Sequence, residues 1–417
     1  MMTTRAEPAR TNVVLAVLFA GAFVMGCAEM LVVGMFDLIA ADLDVSVPAT
    51  GALVTACALG VAIGGPLLTF LTTRFDRRHV LLAATTVFVL ANLLPAFGAD
   101  YPLFLAARVV TGAVQGLFIA AAMVTATSIV PPARSGRAMA IVISGFATSS
   151  ALGLPLGTLL GQAVGWRGSF VAVVVAGVVI LVLAAVVVPS VPSSREHRAM
   201  GQARYAFAPR VLALLALCCV IFAAIQSALT YVVPFLDQVT GVSGPVVSAY
   251  LLGYGVATTV GSYSGGRFAD SDARRALIVG TAGVTASLLV LFLFGANPLV
   301  AALAILGMGV FGMGMAPSLQ HRVVNLAGPG APLAASLPAS AVNAGIALGS
   351  FTGGLAIGVG GVPAAVSTGA VIAAISVAVA WATSFLKPIP PFAPSEAPAT
   401  PTLHEPIERN HHGEHDR

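Results

Sequence analysis

Gly266-Arg267-Phe268-Ala269-Asp270-Ser271-Asp272-Ala273-Arg274-Arg275 is a short charged stretch between two long apolar runs, and Arg74-Phe75-Asp76-Arg77-Arg78 stands in the same setting earlier in the chain. The arginine pairs Arg77-Arg78 and Arg274-Arg275 are 197 residues apart. Like stretches at like places point to a chain built from two related halves. What the halves consist of follows from the apolar runs around them.

Of the 417 residues, 58% are hydrophobic and 9% are charged, against roughly 25% charged in a typical soluble domain. A soluble protein of this size needs more polar coverage than that, whereas a bilayer removes the need. The 44 glycines fit helices that pack closely where lipid gives no hydrophobic drive for association. Apolar runs recur at 12–36, 47–71, 79–98, 102–126, 137–161, 167–189, 210–235, 244–268, 276–295, 298–319, 333–357 and 361–386. Each is long enough to cross a hydrocarbon core of about 30 Å as a helix. The fold class expected is an all-α membrane protein of twelve transmembrane helices in two six-helix bundles. The first run ends at acidic residues rather than at a small-residue cleavage site, so it reads as a span and not as a signal peptide.

Charge sets the orientation. Of the 20 basic residues, 18 fall in the even-numbered connections and the two tails, with Arg167 the one base in an odd-numbered connection and Arg108 inside a span. The positive-inside rule makes the basic side cytoplasmic, and with it both termini. The same distribution argues against a nucleic-acid partner. The domain plan is then a cytoplasmic tail (1–11), a first bundle (12–189), a linker rich in Pro, Ser and Arg (190–209), a second bundle (210–386) and a Pro- and His-rich tail (387–417). The tail histidines read as solvated, and no metal site or cofactor is expected. Cys27, Cys57, Cys218 and Cys219 lie within apolar runs, without ligand spacing, and read as small buried hydrophobes.

The stretch Gly266 to Arg275 resembles the G-x-L-A-D-x-x-G-R-R loop signature of the major facilitator superfamily. Gly266, Asp270, Arg274 and Arg275 match it, while Phe268 and Ala273 depart from it. In the first copy Arg77 and Arg78 match, but Thr73 stands in place of the family Asp and Asp76 in place of the second Gly. The resemblance implies a loop that latches the two bundles on the cytoplasmic side. Span 5 holds Gly145, then Gly153-Leu154-Pro155-Leu156-Gly157 and Gly161, similar to the antiporter motif of drug–proton exchangers. Proline removes a helix hydrogen bond and glycines admit close contact, so a bendable helix at the interface between bundles is expected. Gly165-Trp166-Arg167, Ala28-Glu29-Met30 with Gly34, Arg108 with Gly112 and Gly116, Pro332 to Ser336 and Asn343 to Gly349 extend the likeness over about residues 16 to 386. Together they look like the 12-span drug–proton antiporter group, in its branch of chloramphenicol exporters and sugar-efflux permeases. The resemblance implies a monomer in the cell inner membrane that handles protons and a small-molecule substrate. The substrate class is an amphipathic drug, with sugars or purine nucleosides as the alternative.

Glu29 and Arg108 are the charged residues placed well inside spans. A charge at bilayer depth costs at least about 2.5–3.5 kcal/mol on insertion scales, so both are functional candidates. Glu29 lies seven residues from the outer end of span 1 and Arg108 six from the outer start of span 4, which sets both about 10 Å below the outer surface. Two roles fit such a pair. In one, Glu29 takes up and releases a proton while Arg108 tunes it, since burial favours a neutral carboxyl and a guanidinium favours the ionised form. In the other, the two form a static ion bridge. Asp37, at the mouth of span 1, is the reserve carboxylate. The second half has Ile305 where Arg108 would repeat, so protons are assigned to the first bundle and more of the substrate wall to the second. Gln115, Gln226, Tyr231, Tyr254 and Asn343 are the candidate cavity residues, as polar or amphipathic side chains within spans. Gly307-Met308-Gly309-Val310-Phe311-Gly312 matches a dinucleotide-binding string, but it lies inside an apolar span without the strand such a site requires. With no nucleotide loop and one intramembrane carboxylate, neither ATP drive nor an enzyme is expected.

Overall fold

The computed structural model describes residues 8–98, 100–131, 134–191, 204–330, 334 and 337–386, which are overwhelmingly helical. The helices are α1 (Pro8–Gly34), α2 (Phe36–Asp42), α3 (Val47–Leu59), α4 (Gly65–Leu71), α5 (Arg77–Ala96), α6 (Tyr101–Ser128) and α7 (Ser135–Val187). The second half holds α8 (Pro209–Leu229), α9 (Val232–Phe235), α10 (Pro245–Phe294), α11 (Pro298–Gly314), α12 (Ala316–Ala327), α13 (Leu337–Gly360) and α14 (Val362–Ser384). A π-turn, Gly60–Gly64, joins α3 to α4, and a second, Leu236–Thr240, follows α9. The linker from 192, Pro332, Leu333, Ala335, Ser336 and the tail from 387 lie outside the described residues.

Among the described residues the chain makes twelve passes, two of them within α7 and two within α10. Ten stretches are long and apolar enough to cross a membrane on their own. For span 8 the difference has a composition cause, since it runs through Gly253, Gly255, Thr258, Thr259, Gly261, Ser262, Ser264, Gly265 and Gly266. The loops expected between spans 5 and 6 and between spans 8 and 9 are reduced to single residues. Helical bonding continues through both, and the chain turns at Gly165 (φ 73°, ψ 164°) and Asp272 (φ −153°, ψ 85°). The dihedrals at Gly165 suit glycine alone.

Glycine contacts show how the passes pack. On span 5, Gly145 faces Phe19, Gly153 faces Cys27 and Met30, Gly157 faces Leu31 and Gly161 faces Met35. Span 5 therefore lies parallel to span 1 with a ridge of small residues at i+4 spacing between them. The glycines of the expected interface motif thus pack inside the first bundle. α7, which holds spans 5 and 6, also packs on α10 of the second bundle. Pro155 sits inside α7, and the one departure from helical dihedrals in that helix is at Gly165.

The repeat is visible in these contacts. A side chain at Gly112 would strike the Cys57 carbonyl, and one at Gly309 would meet the Tyr254 carbonyl, both residues of each pair being 197 positions apart. Gly64 against Ala113 and Gly261 against Val310 repeat in the same way. Spans 2 and 4 of one bundle are thus packed like spans 8 and 10 of the other. Both ends of the described chain come to one face, the terminal face. The other is the distal face.

Between bundles, span 2 meets span 11 through α3 and the π-turn, while α4 packs on α6 and that turn. At the distal face α2 touches α9, with the Phe36 and Tyr231 rings in edge contact at 5.4 Å. The loop after span 2 is tied to its own bundle: the Arg77 N–H donates to Val191, Arg78 donates to the Ala185 carbonyl at 2.6 Å and Ser190 donates to Asp76. The second copy is anchored locally, with Asp272 accepting from the N–H groups of Arg274 and Arg275. Gly266 has open space around its α-carbon, and the Asp270 side chain lies outside what is described. The described contacts of both loops thus brace single bundles, where a latch between bundles was expected.

A carbon added at Gly112 would stand 2.0 Å from the Cys57 carbonyl oxygen, whereas one at Gly266 meets nothing within 4 Å. Gly112→Val is therefore expected to destabilise the protein by about 1–3 kcal/mol or more. In detergent its thermal unfolding should come clearly below that of the parent, and Gly266→Ala should match the parent. Equal unfolding temperatures for all three would contradict this helix register.

Candidate functional site

Span 4 presents Phe104, Arg108, Thr111, Gln115 and Phe118 to the interior, a stripe at helical spacing. Arg108 and Gln115 thus share a face two turns apart, and both look at span 1. Glu29 and Arg108 are each 1% exposed. Their groups do not meet head on. The Arg108 guanidinium donates to the main-chain carbonyls of Ala28 (3.1 Å) and Glu29 (3.3 Å) on span 1 and of Leu53 (3.3 Å) on span 2. The Gln115 amide donates to Oε2 of Glu29 at 2.7 Å. Helix polarity explains this division. Carbonyls point towards the C-terminus of α1, where Arg108 lies, while the side chain leans towards its N-terminus, where Gln115 lies. Oε1 of Glu29 is buried without a hydrogen-bond partner. That is an unusual state for a buried carboxyl oxygen.

Two of the five expected cavity residues are engaged elsewhere. The Gln115 amide is committed to Glu29. Tyr231 donates to the Ser350 carbonyl at 2.7 Å and closes the distal contact between bundles. Gln226 donates along its own helix to Thr230 at 3.0 Å. Tyr254 is buried against Gly309 of span 10. Asn343 donates to the Ala339 carbonyl, and its Oδ1 is buried and unpartnered. Among the described residues no hydrogen bond links Gln226, Tyr254 and Asn343. Sequence reading singled out Glu29 and Arg108 but missed the carbonyls of Ala28 and Leu53, because main-chain acceptors carry no residue signature. The seven-residue step from Arg108 to Gln115 was the available signal for their shared face.

At the distal face a cavity of about 150 Å³ lies between the bundles, lined by Asp37, Leu38 and Gln162 from one side and Asp237, Ser243 and Val247 from the other. Asp37 is pushed above the usual carboxylate range, first by burial and then by the Asp237 charge. The other charges around α2 are Asp42, which pairs with Arg167 of α7, and Asp44 beyond its end.

These features define a class: an all-helical, multi-pass membrane protein of two repeated six-helix bundles, with a buried polar node in one of them. The comparisons with known proteins are specific. Residues 18–332 match the family model of the Major Facilitator Superfamily. The chain is 32% identical over 341 residues to the "Uncharacterized MFS-type transporter YtbD" of Bacillus subtilis, covering 81% of this chain and 86% of that protein. It is 29% identical over 332 residues to the "Chloramphenicol resistance protein" of Streptomyces lividans, covering 78% and 84%. In three dimensions it resembles a bacterial homologue of the human lysosomal transporter Spinster, with a TM-score of 0.78 at 15% identity over 91% of this chain and 98% of that one. The chain belongs to the Major Facilitator Superfamily, and it is a transporter rather than an enzyme.

A carboxyl whose pKa is raised in the closed distal arrangement weakens that arrangement once ionised. The penalty is absent below the usual carboxylate range and grows as pH rises through the raised pKa of Asp37. Distal opening should therefore increase with pH in the parent and lose that dependence in Asp37→Asn. The distance between spin labels at Ala41→Cys and Ser243→Cys, in a background without native cysteines, reads this directly. Identical pH profiles for parent and Asp37→Asn would refute it.

Proposed function

We propose that this transporter exports a small amphipathic, chloramphenicol-like drug in exchange for protons across the cytoplasmic membrane. The observation that supports it most is the unpartnered Oε1 of Glu29, fully buried beside a guanidinium that is bound to carbonyls rather than to the carboxylate. A buried carboxyl in this state binds a proton readily, or gives it up when its surroundings change. Gln115 holds the other oxygen in place, so the proton is carried at Oε1. A static ion bridge, the other role open to Glu29 and Arg108, would direct the guanidinium at the carboxylate.

The rest of the reading follows the charge pattern and the relatives. The terminal face carries the basic connections and is cytoplasmic, with both termini there. The boundaries 12–189 and 210–386 mark a proton-handling bundle and a bundle that supplies more of the substrate wall. Asn343, with its free Oδ1, is the residue of that wall best placed to bind a polar substituent of the drug. The monomer is the working unit, and no cofactor takes part. The similarity to a chloramphenicol resistance protein favours a drug over the sugar or nucleoside alternative.

The test is accumulation of radiolabelled chloramphenicol in cells making the protein. Accumulation should fall below that of control cells, an uncoupler should abolish the difference, and Glu29→Gln should abolish it while protein stays at parental levels in the membrane. Efflux that persists after uncoupling would overturn proton exchange, and full activity in Glu29→Gln would remove Glu29 from the coupling role.

A further inference from the structure

The distal contact between the bundles is built around one side chain. Tyr231 is 1% exposed, and it occupies the turn between α8 and α9. Pro234 explains the turn: it brings no N–H for the Thr230 carbonyl, and its ring crowds that carbonyl, so α8 stops and α9 restarts. Span 1 is interrupted at the matching depth, where Met35 (φ −118°, ψ 23°) separates α1 from α2. Phe36 is the first residue beyond that break, and its ring meets Tyr231 at an interplanar angle of 73°.

Within the second bundle Tyr231 is held firmly. Its hydroxyl donates to the Ser350 carbonyl, and Ser350 shares a 2.8 Å hydrogen bond with Thr230, which also accepts from Gln226. Towards the first bundle the ring enters a socket that exists because three residues have no side chain. A carbon built at Gly51 of span 2 would stand 2.0 Å from the Tyr231 hydroxyl oxygen and 2.6 Å from the ring. One at Gly354 of span 11 would stand 2.5 Å from the same hydroxyl, and one at Gly353 3.0 Å from the ring. Real β-carbons do not approach so closely, so any side chain at Gly51 displaces the tyrosine.

We propose that Tyr231 is the bolt of the distal gate, fixed to the second bundle and seated in a socket formed by Gly51 and Phe36 of the first. Opening towards the distal face then requires the ring to leave Gly51 and Phe36, with the breaks at Met35 and Thr230–Tyr231 as the places where α2 and α9 swing. The socket belongs to the closed state alone, so its occupancy sets the balance between closed and open without touching the charged node of span 1. This extends to the gate what the proton-exchange reading leaves out, and it does not depend on the substrate.

Spin labels at Ala41→Cys and Ser243→Cys, on opposite bundles at the distal face, report the gate in the full-length protein. Gly51→Ala places a carbon inside the seated ring, and Tyr231→Ala empties the socket and adds nothing. Each should raise the ratio of long to short distances by about tenfold or more, the size of effect expected from a core clash or a core truncation. A ratio in Tyr231→Ala that matches the parent overturns the proposal. So does an unchanged ratio in Gly51→Ala whose thermal unfolding matches the parent. Neither measurement uses a drug or a proton gradient, so a wrong substrate or a wrong coupling ion leaves the outcome intact.

Discussion

The Arg108 guanidinium bonded to three main-chain carbonyls is the interaction on which the first bundle depends. It comes from span 4 and ends on spans 1 and 2, so one side chain fixes three helices at one depth. An arginine buried this deeply is tolerable because its donors find main-chain carbonyl acceptors. That choice of acceptors leaves the Glu29 carboxylate to Gln115 on one oxygen and to nothing on the other. Had the guanidinium been aimed at the carboxylate, the site would be a closed ion pair with no free oxygen to carry a proton.

The second bundle repeats the frame and omits the charge. Gly112 on Cys57 and Gly309 on Tyr254 are the same contact seen twice, yet Ile305 stands where Arg108 would recur and is itself buried. The same helix packing therefore supports a charged node in one half and a buried isoleucine at the matching place in the other. The halves then meet at the distal face, where aromatic rings and glycines rather than charges make the contact. Asp37 stands just outside it and opposes closure as it ionises.

Much of the architecture was legible in the sequence. Hydropathy and the one-sided distribution of arginine gave twelve passes, because a bilayer imposes a length and a charge rule on every crossing. The turns at Gly165 and Asp272 escaped notice as near-continuous helix because a single residue can reverse the chain, and no loop-like composition is needed. The ridge from Gly145 to Gly161 announced close packing but not its partner. Spacing tells which face of a helix is small, whereas which neighbour fills it is decided by the whole bundle. In the site, Glu29 and Arg108 were legible from cost alone. The bonding of Gln115 and Tyr231 was not, since a polar residue in a span looks the same whether it faces a ligand, a carboxylate or another helix.

The proposed role of Glu29, held by Gln115 beside Arg108, as a proton carrier can be tested without any substrate. Infrared spectra of the purified protein, taken across a pH series in the carboxyl stretching region, show each protonated carboxyl that titrates. The expected result is a component in the parent that titrates with pH, is missing from Glu29→Gln, and shifts in frequency in Gln115→Leu, where the hydrogen bond to Oε2 is lost. Spectra of Glu29→Gln that superimpose on those of the parent at every pH would contradict the assignment of the proton to Glu29.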